Sequence, residues 1–198
     1  MKRAAAAQQL LLLVSTLAGC RALDVTQPIA LVPEVSWNTL EAGILADAAE
    51  CWNLQFGTQF RVDRDATIEQ QVRVGYSDAA CLDAGGLTIA APPVRVAVCP
   101  LSYMVSIHAK RSHVLMDVLI HELGHVANIL GHASGHSVMN SESILRPEQF
   151  SNEDIALFND ANADALPAPG CTVRIPAEPY DDTVAYHPGR EGCACETP

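Results

Sequence analysis

Apolar positions recur along this chain with two different periods. Leu40, Ile44, Leu45, Ala48, Cys51 and Trp52 fall at helical spacing. They follow Asn38-Thr-Leu-Glu41, in which Asn38 suits an N-cap and Glu41 can reach back to it. Gly57 comes next and accepts the left-handed conformation that closes helices. A period of two then takes over. Phe60 and Val62 straddle Arg61, Val72, Val74 and Tyr76 alternate with Arg73 and Gly75, and Val94, Val96 and Val98 alternate with Arg95 and Ala97. Leu87 and Ile89 make a shorter run between a Gly-Gly and a Pro-Pro. Such alternation predicts a sheet with one buried face, the arginines lying on the solvent side.

The helical period returns after Ser112, a usable N-cap. Val114, Leu115, Met116, Val118, Leu119, Ile120, Leu123, Val126 and Ala127 leave almost no polar face, as expected of a helix buried in the middle of its domain. The exceptions are Asp117, His121, Glu122 and His125. Burying such groups without partners costs roughly 1–3 kcal/mol each, so their presence calls for a chemical reason. Residues 131–150 read as irregular loop, and Ser151-Asn-Glu-Asp154 is a second capping pattern, opening a helix through Ile155, Leu157, Phe158 and Ala161. The order of elements predicts an α+β fold.

Composition narrows the setting. A chain of 198 residues, 49% hydrophobic and 18% charged, can bury a real core and is not disordered. A net charge of −11 and the lack of a basic patch with interleaved aromatics argue against nucleic acid as a partner. Residues 1–20 read as an export signal: Lys2 and Arg3 precede an apolar run too short to span a membrane. The run ends in Leu17-Ala-Gly-Cys20, which resembles the bacterial lipobox and makes Cys20 the expected lipidation site; an ordinary signal cut near Ala18 or Ala22 is the alternative. Cleavage before Cys20 would remove Lys2 and Arg3 and take the formal charge from −11 to about −13. Arg21 follows the cysteine, which favours the outer membrane over the inner. Six further cysteines in an exported chain allow up to three disulfides; Cys81 and Cys99, flanking a strand pair, are one expected bridge. Cys193-Ala-Cys195 could instead bind a metal, but no second pair at ligand spacing accompanies it. Residues 21–33 read as a tether, 34–166 as the domain, and 167–198 as an extension held by disulfides.

The stretch His121-Glu-Leu-Gly-His-Val-Ala-Asn-Ile-Leu-Gly-His132 concentrates the chemistry. Residues four apart lie one turn apart on the same helix face, so His121 and His125 can present two imidazoles to one ion. Zinc takes neutral imidazole nitrogen at about 2.0–2.1 Å, and Glu122 beside the first ligand is placed to act as a general base on an activated water. A catalytic zinc site wants a third protein ligand. His132, His136 and a carboxylate such as Glu153 are candidates, with Asn128 or Gly131 as the left-handed residue that returns the chain. Asp117, one turn before His121, reads either as an orienting group for that histidine or as a solvated carboxylate near the helix start. His108, His113 and His187 have no ligand spacing.

This stretch, followed by Ser137-Val-Met-Asn140, resembles the metzincin zinc peptidases, the matrixin-like branch above all. Their pattern is H-E-x-x-H-x-x-G-x-x-H and then a methionine turn beneath the metal. His121, Glu122 and His125 match; Asn128 stands where the family has glycine, and the third histidine comes one residue late, at His132. The interval from His125 to Met139 is the family's own. Residues 44–62 and Ser151–Phe158 resemble the first helix and strand and the closing helix of such domains, with Asp154 in the usual acidic position, so the likeness spans roughly residues 34–165. It implies a zincin-like twisted mixed sheet, a central active-site helix, a methionine turn built on Met139 and a closing helix. It further implies one catalytic zinc ion on His121, His125 and His132, and Glu122 as the catalytic base of an endopeptidase acting on proteins or peptides outside the cytoplasm. An edge strand would hold the substrate extended. A monomer is expected, anchored to the membrane through Cys20, and a structural calcium ion is left open. The cysteine-containing pro-motif of animal matrixins is absent, so no cysteine-switch latency is expected. An inactive zincin kept as a zinc-binding or adhesive lipoprotein, and a structural lipoprotein whose histidines bind no metal, are the rivals.

Overall fold

The computed structural model describes residues 23–67, 70–82, 86–90, 93–101, 113–140, 149–163, 172–175 and 193–196. The export signal, Cys20 and the proposed N-cap Ser112 lie outside them. The described residues form an α+β arrangement of a mixed five-stranded sheet, three helices and a small two-stranded sheet. In chain order these are β1 (Ile29–Pro33), α1 (Thr39–Phe56), β2 (Phe60–Val62), β3 (Gln71–Tyr76), a short 3-10 turn (Asp78–Leu82), β4 (Gly86–Ile89), β5 (Val94–Val98), α2 (His113–Val126), α3 (Asn152–Ala161), β6 (Thr172–Arg174) and β7 (Ala194–Glu196).

The large sheet has the order β2-β1-β3-β5-β4. Its first four strands are parallel, and β4 runs antiparallel to β5 at one edge. Val72, Val74, Val94, Val96 and Val98 are buried, whereas Arg61, Arg73 and Arg95 are exposed, so the alternation in the sequence marks the core face correctly. Both long helices join the same core as these valines: Ile44, Leu45 and Trp52 from α1, and Leu115, Leu119, Ile120 and Leu123 from α2. The Trp52 indole N–H donates to the Ile120 carbonyl (2.9 Å), tying α1 to the helix that carries the histidines.

The segment 21–33, read as a tether, needs correction. Ile29–Pro33 is β1, an interior strand of the sheet paired on both sides, with Ile29, Ala30 and Leu31 fully buried. The reason is physical: its outward positions are the apolar Ala30 and Val32 rather than charged residues, so Ile-Ala-Leu-Val-Pro has no polar alternation to announce it. Even Leu23 and Asp24 are bound, the latter donating its backbone N–H to Gln70 (2.7 Å).

Local signals set the helix ends. Asn38 caps α1 and Glu41 returns the bond to its backbone N–H (2.5 Å), while Gly57 closes the helix at φ 69°. Ser151 and Asp154 form the same box on α3. Two disulfides complete the frame. Cys81–Cys99, as expected from the sequence, staples the turn before β4 to the end of β5. Cys51–Cys193 fastens the C-terminal extension to α1, where the Val173 N–H also donates to Gln55 (3.2 Å). Cys193 is thereby taken up in a bridge rather than in a Cys193–Cys195 metal site. Both bridges suggest an oxidising, exported environment. Among the described residues no helix is long and apolar enough to cross a membrane.

The Cys51–Cys193 bridge spans 142 residues, so it restrains the unfolded chain strongly. Replacing both cysteines by alanine is expected to lower unfolding free energy by about 2–5 kcal/mol, read from the denaturation midpoint by circular dichroism.

Candidate metal centre

Helix α2 supplies two histidines from one buried turn, and its C-terminus supplies the geometry that recruits the third. Asn128 takes the left-handed conformation at φ 67°. Its N–H donates to the His125 carbonyl (3.1 Å) and the Ile129 N–H donates to the Gly124 carbonyl (3.0 Å), the paired bonds of a Schellman turn. Asparagine is the non-glycine residue that best tolerates this conformation, so the position the sequence analysis paired with Gly131 falls to Asn128. The Asn128 side chain also donates to the Leu23 carbonyl and to Asn162 Oδ1 (both 2.9 Å), fixing the turn to the N-terminal segment and to the end of α3.

The chain returns and brings His132 to His121 and His125. The three ring centroids stand 5.0, 5.2 and 5.1 Å apart, and one donor nitrogen from each residue lies within 4.8 Å of the others. Among the described residues this is the group that could hold a metal ion. His136 and Glu153, the alternative third ligands, are not in it. His136 is exposed, and Glu153 instead accepts from the backbone N–H (3.2 Å) and hydroxyl (3.3 Å) of Ser134.

Two of the rings are oriented by backbone carbonyls. His121 Nδ1 lies 2.9 Å from the Val138 carbonyl and His125 Nδ1 lies 2.6 Å from the Ile129 carbonyl. A carbonyl can only accept, so each neutral ring carries its proton on Nδ1 and leaves the Nε2 lone pair free for an ion. Burial depresses both histidines, His121 to about 4, because an imidazolium is poorly solvated there; the carbonyl contacts oppose that shift without cancelling it. At neutral pH both are therefore neutral donors, which is the state a metal requires.

The turn beneath the histidines is held by one carboxylate. Asp154 is fully buried and accepts from the Ser137 hydroxyl, from the Val138 N–H (3.2 Å) and from the Met139 N–H (3.1 Å). It also accepts from the Ser151 N–H and hydroxyl (both 2.8 Å) while capping α3. The sequence marked Asp154 as a capping residue; its grip on residues 137–139 was not legible, because those partners lie far away in the chain. Met139 is fully buried at this turn, and a Cβ added at Gly124 would overlap its sulfur. Gly124 is thus a site residue with no signature in the sequence: its missing side chain lets Met139 sit against the helix between the two histidines.

Glu122 is buried, and its carboxylate accepts from the Thr88 hydroxyl of β4 (2.5 Å). Asp117 is half-buried one turn earlier. His113 begins α2, and His108 and His187 lie outside the described residues. Three imidazoles with donor nitrogens this close together match the histidine donor set of a tetrahedral metal site. No protein-family model matches this chain, and no curated protein or solved structure matches it either.

Two measurements test this geometry. Gly124→Ala is expected to cost about 1–3 kcal/mol of stability through overpacking against Met139, seen as a lower melting temperature. In metal-free protein, the depressed His121 lets the unfolded chain bind a proton first, so stability is full above the ordinary value of 6.5 and falls as pH drops toward about 4. A His121→Asn variant is expected to lose less stability over that window, measured by urea titration at each pH.

Proposed function

We propose that the chain is an exported, zinc-dependent endopeptidase of metzincin type, anchored to the outer membrane by a lipid on Cys20. The observation that carries this reading is the convergence of His121, His125 and His132 beside the buried carboxylate of Glu122. Three histidines are the donor set of hydrolytic zinc sites, whose fourth position takes water, whereas closed structural sites use four protein ligands. Zinc held there would supply Lewis-acid polarisation of water and of the scissile carbonyl. Glu122 would accept the proton of the attacking water and pass it to the departing amine.

The antiparallel edge strand β4 supports a peptide substrate. Its inner face meets Glu122 through Thr88, and among the described residues it pairs on one side alone. An extended segment can add to such an edge by backbone hydrogen bonds, which bind chain rather than sequence. The mixed sheet, the buried turn at Met139 and the helix that follows it support this reading, since the resemblance implies each of them. The two disulfides fit its exported setting.

Purified protein should carry about one zinc per chain, by the single-ion geometry of such sites, and should cut members of a peptide library identified by mass spectrometry. Glu122→Ala is expected to retain zinc and lose cleavage by about 10²–10⁴-fold, and a chelator should abolish cleavage reversibly. Zinc-loaded wild type that cuts nothing would favour the inactive, adhesive alternative. Folded protein that binds no metal would reject both.

A further inference from the structure

Strand β4 is four residues long, and two of them are spent on one side chain of another element. Gly86 and Thr88 are two apart, so they face the same side of the sheet. That side meets Glu122. The Thr88 hydroxyl lies 2.5 Å from Glu122 Oε2 and 3.2 Å from the Glu122 backbone carbonyl. It has one proton, and the carboxylate is the nearer and stronger acceptor. A Cβ added at Gly86 would overlap Oε1, Cγ and Cδ of Glu122. One residue thus holds one carboxylate oxygen, and the other makes room for its twin by having no side chain.

The strand is in turn fixed at both ends. β4 is bonded to β5 from Gly86↔Val98 to Ile89↔Arg95, and the Cys81–Cys99 bridge closes the loop that contains it. Glu122 itself lies on a buried helix whose backbone cannot shift to follow its side chain. The carboxylate is therefore set from β4, across the gap between sheet and helix, rather than from α2 alone.

We infer that Gly86 and Thr88 are positioning residues for the general base of the proposed hydrolysis. Their shared function is to fix the Glu122 carboxylate in one orientation ahead of substrate. This rests on the peptidase reading, and it adds to that reading a coupling: the strand offered to an extended substrate is also the strand that sets the base.

The test compares Thr88→Val, Thr88→Ser and Gly86→Ala with wild type in zinc-loaded, full-length protein, using a peptide that wild type is shown to cut. Valine keeps the volume of threonine and removes the hydroxyl. A base held loosely should lower kcat by about tenfold, part of the 10²–10⁴ that general-base catalysis supplies, while KM, zinc stoichiometry and zinc affinity stay near wild type. Serine should restore kcat, which a purely packing role for the threonine methyl would not allow. Gly86→Ala should lower kcat in the same way. A Thr88→Val enzyme as fast as an active wild type, or a fall in kcat that serine fails to restore, overturns the inference and leaves the peptidase reading standing. A zinc-loaded wild type that cuts no peptide overturns both.

Discussion

The candidate site depends on a single buried carboxylate. Asp154 is fully buried, and five donors satisfy its carboxyl group. Two of those donors, from Ser151, belong to the start of α3, and three belong to the 137–139 turn. The Val138 carbonyl of that turn then receives the Nδ1 proton of His121. Helix start, turn and the His121 ring are thus links of one hydrogen-bonded chain, with each member fixing the next. Networks of this kind rigidify when every member is satisfied, which fixes the His121 ring; the His125 ring is oriented by the Ile129 carbonyl, and His132 is returned by the Asn128 turn.

The packing around the network explains why the residues between the two helix histidines matter. On α2, Leu123 faces the core and Gly124 faces Met139, so the helix can approach the turn closely without losing its apolar contacts. Trp52 and Phe56 of α1 stack, and with Phe150 and Phe158 they form an aromatic cluster. The indole N–H of Trp52 meets a carbonyl of α2 instead of being left unpaired. Apolar burial places the helix, and directional bonds to carbonyls place the rings on it. Dispersion and area burial have no preferred direction, so they alone could not orient an imidazole.

Much of this was readable along the chain. The two capping boxes, Gly57, the strands β2 to β5 and the burial of α2 were all expected, because each is announced by residues within a few positions of one another; the Cys81–Cys99 bridge, 18 residues apart, was expected from the strand pair it flanks. The pairing of His121 with His125 belongs to the same class, since a helix turn puts them together. Strand β1 was missed for the opposite reason: a strand apolar at every position has no periodic signature, and Ile29–Pro33 reads as an apolar stretch next to a tail. Gly124 was missed because the meaning of an absent side chain depends on what fills the space.

The sequence by itself determined the local chemistry: which helix is buried, which polar groups break its apolar surface, where the helices begin and end, and which residue types could bind an ion. Only the tertiary structure decided which of His132, His136 and Glu153 joins the other two histidines. It alone brought Asp154 under the turn and set β4 against Glu122. The physical reason is the range of the forces that choose. Caps, turns and amphipathic periods are settled by neighbours in the chain. The directions of the His121 ring and the Glu122 carboxylate are settled by hydrogen-bond partners 17 and 34 residues away, which the sequence contains but does not place.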